Sequence, residues 1–296
     1  MSADQLLTAL FNAGIVISVG ATVLSLGMTF AVAQLLAPLR RVGLVVTMVV
    51  LNAVVIPAVA WGVAKGLPIN DAYVGGLVLA TLGAGSAAGI KAAQLAKNAD
   101  LPLAVSIVVV LQLVNIVSVP IWAGQVVSGA SLSAWDILKS LLLLVLIPLI
   151  VGLVVKARYP DLAAEWTGGL VKIANLALVI AIAAGISVNW QTIVDLLGSW
   201  VLVTSLLIIV IALALGLLFG GKNGQTRTTT GLVSGMRFGS LGLIIIGTQL
   251  GGNPDYLGPA LVFALLDVLL PIVLAIEIGR RALLGTPAGA TAASAT

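Results

Sequence analysis

The chain has 296 residues, 60% of them hydrophobic and only 8% charged, with a formal net charge of +4. Its mean hydropathy is +1.23 and its pI about 9.6. So few charges cannot clothe a soluble domain of this length, and the absence of His and Cys excludes His- or Cys-ligated metal centres, Cys or His catalysis and disulfides. The basic excess reads as membrane topology rather than as a nucleic-acid surface. No charged leader with a small-residue cleavage site opens the chain, so no removable signal peptide is expected.

Nine apolar segments follow in order, near 7–35, 43–64, 73–96, 102–126, 136–156, 167–188, 198–219, 228–250 and 256–279. Each has roughly the 20–25 residues that span a bilayer. The first carries Asn12, Gly14 and Gly20, which allows it to begin as a surface or re-entrant segment. The joins hold Pro38, Gly66-Leu67-Pro68, Gly129, Tyr159-Pro160, Gly221 and Gly251-Gly252-Asn253-Pro254. One membrane domain over 1–284 is expected, with a disordered Ala/Thr/Gly/Ser-rich tail at 285–296.

Charge sorts across alternate joins. One side carries Arg40, Arg41, Lys97, Lys156, Arg158, Lys222, Arg227, Arg280 and Arg281; the other carries Lys65, Lys139 and Asp4, Asp71, Asp136, Asp195 and Asp255. The positive side faces the cytoplasm. The expectation is therefore a multi-pass protein of the cell's inner (plasma) membrane, N-terminus outside and C-terminus cytoplasmic. Six Trp residues near predicted helix ends, from Trp61 to Trp200, fit an interfacial belt.

A short pattern occurs twice: Gly89-Ile90-Lys91-Ala92-Ala93-Gln94-Leu95 in the third segment and Gly235-Met236-Arg237-Phe238-Gly239-Ser240-Leu241 in the eighth. Each centres on a cation inside an apolar span, where a charge costs about 2.5–3.5 kcal/mol and marks a functional candidate. With nine spans, segments one to four (7–126) and six to nine (167–279) are equivalent units of opposite orientation, as in many secondary transporters. The clusters around Ser86 and Gly89, and around Ser234 and Gly235, permit unwinding or close helix packing. Asp267 is the one acid near the middle of any span, with Arg237 as its expected ionic partner. Two cations to one anion leaves room for a substrate anion, drawn by Lys91; alternatively Lys91 snorkels to the cytoplasmic surface. Gln112 and Asn115 precede Pro120 much as Asp267 precedes Pro271, and reach the same centre or join helices.

Leu26-Gly27-Met28-Thr29-Phe30, the run from Gln94 to Lys97 continuing through Leu103-Ala104-Val105-Ser106 to Pro120, and Val233-Ser234-Gly235-Met236-Arg237 resemble the bile acid:sodium symporter family along nearly the whole chain. The resemblance implies an all-α polytopic fold with an inverted repeat, two broken crossing helices in a core domain, and a panel domain with substrate bound between the two. Against the family's ten-helix members this chain looks to lack the first helix. The family's motif carries sodium-ligating Glu and Gln where this chain has Val233 and Arg237. The expectation is thus a carrier of small organic anions with Lys91 and Arg237 in place of sodium, no cofactor and no bound metal. Sodium-coupled symport through backbone carbonyls and hydroxyls is the alternative within transport. An intramembrane enzyme using a Ser86–Lys91 dyad, or a binding module, is the remote one. The expected site comprises Ser86, Gly89, Lys91, Gln112, Asn115, Ser234, Gly235, Arg237 and Asp267, with no nucleic-acid partner; the oligomeric state is not legible.

Overall fold

The computed structural model describes residues 2–31, 33, 40–127, 132–196 and 198–284. The expected tail at 285–296 and the breakers Pro38 and Gly129 lie outside the described residues.

The described chain is helical: α1 Ala3–Thr29, α2 Val42–Gly66, α3 Asp71–Leu82, α4 Ala87–Ala96, α5 Leu101–Val126, α6 Ala134–Arg158, α7 Pro160–Val188, α8 Trp190–Leu196, α9 Trp200–Phe219, α10 Gly224–Gly235, α11 Ser240–Gln249 and α12 Pro254–Leu284. Side-chain caps set most starts. Ser2 and Gln5 form a capping box on α1, and Asn70, Ser86, Asp100, Ser133, Ser199 and Asn223 cap the helices after them. The first segment is therefore one continuous helix from its cap, not a re-entrant piece. Pro160 in the first turn starts α7 seven residues before the expected position 167.

Among the described residues eight helices are long and apolar enough to cross a membrane, and α3 with α4, bent by 65° at the break between them, counts as a ninth span if the pair is taken together. The eighth segment breaks as well, between Gly235 and Ser240. The first half of one broken span packs on the second half of the other, α3 on α11 and α4 on α10. The two broken spans therefore cross antiparallel. Their breaks touch: the Phe238 N–H donates to the Gly83 carbonyl at 2.8 Å. A Cβ on Gly83 would collide with the Phe238 carbonyl, so only glycine permits this approach.

Two spans carry a π-helical turn just before an Ile-Pro pair. Leu51–Val55 in α2 precedes Ile56-Pro57, and Leu142–Leu146 in α6 precedes Ile147-Pro148. The helices then sort into two layers. In the thinner layer α1 packs on α6 and α7, with Gly27 against Gly152 and Gly14 against Ala177 and Ala181. The thicker layer holds the crossing spans, flanked by α5, α9 and α12.

Candidate functional site

The first break, Gly83-Ala84-Gly85-Ser86, frees backbone groups that cannot stay unpaired at membrane depth. Two amide side chains from α5 take them. Asn115 accepts from the Ala84 N–H at 3.0 Å and donates to the Ala84 carbonyl at 2.8 Å. Gln112 donates to the Gly85 carbonyl at 2.8 Å. Gly85 has φ +76°, a conformation that favours glycine. Ser86 Oγ accepts from the Ala88 N–H at 3.2 Å and starts α4.

The second break, Met236-Arg237-Phe238-Gly239, is held by charge. Arg237 is 2% exposed. Its Nε donates to the Thr81 carbonyl at 2.7 Å, Nη1 to Asn52 Oδ1 at 2.8 Å and Nη2 to the Asn52 carbonyl at 2.9 Å. Thr81 lies in the last turn of α3, the negative pole of that helix. The Asn52 carbonyl is available because of the π turn. The Ile56 N–H bonds to Leu51 instead, and the next residue, Pro57, has no N–H to give. Ser234 Oγ accepts from Asn52 Nδ2 at 3.0 Å and so fixes which end of the amide meets the guanidinium.

Asp267 does not form the expected ionic pair. Both of its carboxylate oxygens accept from the backbone N–H of Arg237, at 2.9 and 3.0 Å, while the guanidinium turns the other way to Thr81 and Asn52. No ion pair within 4 Å joins the two side chains. The physical reason is geometric: Arg237 sits in unwound backbone, so its amide and its side chain reach in different directions.

The repeated sequence pattern also proves to be out of structural register. Aligning the caps Ser86 and Gly239, the residue before each second half-helix, places Arg237 opposite Ala84. Lys91 lies within α4, beyond the break, whereas Arg237 lies inside its break. Asp267 holds the Arg237 N–H much as Asn115 holds the Ala84 N–H, although the same alignment sets Asp267 one residue off, opposite Val114.

A cavity of about 120 Å³ opens where the two layers meet the crossing. Ser18 and Thr22 of α1 and Asn175 of α7 form one wall; Ser86, Arg237, Ser240 and Asp267 belong to the other. Both second half-helices begin at this cavity, through Ala87 and Ala88 and through Gly239 and Ser240. The amides of Ala87, Gly239 and Ser240 have no hydrogen-bond partner among the described residues. Helix N-termini with unpaired N–H groups suit an anion.

The cavity is open along α4 and closed along α11. Ala87 and Ala88 are half-buried, and Lys91 and Gln94, continuing the same helix face, are exposed. α11 is buried from Ser240 to Ile246, and beyond it Gly247 meets Phe11 and Asn12 of α1.

Of the expected residues, Ser86, Arg237 and Asp267 come together at the cavity. Gln112 and Asn115 stitch the first break, and Ser234 orients Asn52; none of the three lines the cavity. Gly89 packs on Val233 and Gly235 on Leu213, so their lack of a side chain serves helix approach. Lys91 stands one turn beyond the cavity wall with no hydrogen-bond or ion-pair partner among the described residues, and no Ser86–Lys91 hydrogen bond forms a dyad. The sequence reading missed Asn52, Thr81, Asn175 and Lys172. Asn52 was findable as a polar residue at the centre of a span, five positions before Pro57. Lys172 lies one turn before Asn175 on α7 and is exposed.

The sequence model of the Sodium Bile acid symporter family matches residues 16–218. The match stops before α10, so the second break rests on the geometry above. No curated protein matched the chain.

Proposed function

The chain belongs to the sodium bile acid symporter family, and from that premise we propose that it is a secondary carrier of small organic anions that works by alternating access without sodium. The observation that carries this reading is the buried guanidinium of Arg237 in its cage of three oxygens. At the positions where the resemblance expects sodium ligands, Val233 brings no side-chain oxygen and Arg237 brings a permanent cation. Two unit charges about 4 Å apart repel by about 4 kcal/mol at an effective dielectric of about 20. That is roughly a thousandfold in sodium affinity.

The anionic character of the substrate is supported by the two half-helix N-termini that begin at the cavity. Its small size is supported by a volume of about 120 Å³, well under the several hundred Å³ common for drug-sized ligands. Lys91 and Lys172 are exposed and each lies three residues from a cavity-lining residue, Ala88 and Asn175, which suits a positive approach to it. With the N-terminus outside, the open α4 side faces the cytoplasm and the sealed α11 side faces out, one of the two states that alternating access requires. A cytoplasm-only reporter should be active after Arg281 and silent after Ser2; the reverse pattern overturns this orientation.

The test of function is counterflow. Proteoliposomes preloaded with unlabelled lactate, succinate or benzoate should accumulate the labelled form saturably, with sodium replaced throughout by N-methylglucamine. A steep, saturable dependence on sodium would instead assign sodium symport.

A further inference from the structure

Asp267 has chemistry that a fixed structural role does not require. It is 1% exposed, yet it lines the cavity on the face of α12 that carries Ala264 and Val268. Its two oxygens share one N–H, the amide of Arg237. A carboxylate accepts at about four lone-pair sites, so most of its capacity stays unused toward the cavity.

No side-chain ion pair compensates it among the described residues. α3, α9 and α11 bring no titratable group to its surroundings. From α10 and the break, the Arg237 guanidinium points to Thr81 and Asn52, and Arg227 donates to Leu217 at the far end. Lys91 of α4 and Lys172 of α7 lie one turn beyond the cavity, and α1 offers Ser18 and Thr22. Asp195 of α8 is exposed, and Glu277 of α12 is paired with Arg280 and Arg281.

The first break shows what fits this place when it is neutral. There Asn115 accepts from the Ala84 N–H through one atom and donates to the Ala84 carbonyl through the other. A protonated carboxyl has the shape and the donor–acceptor pair of that carboxamide; a carboxylate lacks the donor. Charge balance points the same way. The empty site holds one guanidinium and one carboxylate, which need not touch for its net charge to be zero. An added organic anion keeps it neutral only if one proton enters too. An ionised carboxylate about 4 Å from the bound anion, at an effective dielectric of about 20, opposes binding by roughly three orders of magnitude.

We propose that Asp267 carries the exchangeable proton that accompanies the organic anion, so that the loaded carrier moves one proton with each monovalent anion. Water at the open side of the cavity delivers the proton to the carboxylate oxygen that faces it, and the same O–H is ionised again at the opposite face as the anion leaves. This rests on the cavity taking an organic anion, as proposed above.

Two measurements on the purified full-length protein separate the claims. Infrared difference spectra between acid and alkaline buffer should show a carboxylic acid C=O band in the parent. The band should be absent in Asp267→Asn and moved in Asp267→Glu. Calorimetric titration with acetate, lactate, succinate and benzoate, in buffers of different ionisation enthalpy, counts protons taken up on binding. Acetate, lactate or benzoate should take up about one, and affinity should weaken about tenfold per pH unit on the alkaline side. In Asp267→Asn affinity should be independent of pH. Anion binding by the parent with no proton uptake overturns the coupling, whether or not the variants fold. If the band titrates but none of these anions binds, the anion reading fails and the coupling with it, while the proton site stands.

Discussion

The two breaks in the crossing helices solve one problem with different chemistry. Each leaves orphaned backbone groups at membrane depth, and each is closed by a side chain about thirty residues downstream: Asn115 for Ala84 and Asp267 for Arg237. The first closure is neutral and complete within itself. The second is ionic and incomplete, since Asp267 holds only an amide while its break sends a guanidinium away to α2 and α3. The first break is thus a fixed joint. The second is where the proposed coupling places its change of charge.

This contrast is broken most directly by removing the guanidinium. Arg237→Met leaves three buried acceptors without a donor, at about 1 kcal/mol or more each. It should lower stability by about 3 kcal/mol, seen as a large drop in unfolding temperature in detergent. Arg237→Lys should restore less than half of that, because a point donor does not reach three spread acceptors. Parent-like stability in Arg237→Met would show that the cage does not hold the second break.

The matching change at the first break is smaller. Asn115→Leu orphans the Ala84 N–H and carbonyl and should cost about 2 kcal/mol, with no effect on the pH dependence of anion binding. A change in that pH dependence would mean that the first break is no passive joint. Gly89→Ala sets a Cβ 3.3 Å from the Val233 Cα. It should cost about 1 kcal/mol through overpacking, readable in the same unfolding assay; no change would mean that α4 and α10 yield easily.

The smallest stability effect belongs to the approach. Lys91→Met and Lys172→Met should unfold like the parent, yet each should weaken succinate binding roughly threefold at low ionic strength. The loss should fade above about 0.5 M salt, where screening acts within a few ångströms. Unchanged affinity in both variants at low salt would return Lys91 to simple snorkelling.

Much of this was legible in the sequence because membrane physics limits the choices. Apolar length marked the spans, and the Gly- and Ser-rich runs marked both breaks. Register was not legible. The repeated Gly-apolar-basic pattern equates Lys91 with Arg237, but the caps Ser86 and Gly239 show Ala84 to be the true counterpart. Nor does a sequence say which way a side chain leaves unwound backbone, so the Arg237–Asp267 ion pair was expected where the Arg237 backbone N–H donates to the carboxylate. Asn52 stayed hidden because its role depends on a π turn and on a missing N–H five residues later. The start of α7 was placed late: the span was begun at 167, whereas Asp161 and Glu165 already occupy the first turns of a Pro-initiated helix.

The central claim is that the Arg237 guanidinium stands in for a bound sodium ion. It is tested most directly by following the unfolding temperature of the parent, without substrate, as sodium chloride replaces choline chloride at constant ionic strength. A ligand at 100 times its Kd stabilises a protein by about 2.7 kcal/mol, which such an assay resolves easily. The account predicts a flat response to sodium. A saturable rise in unfolding temperature with sodium, absent with choline, would contradict it.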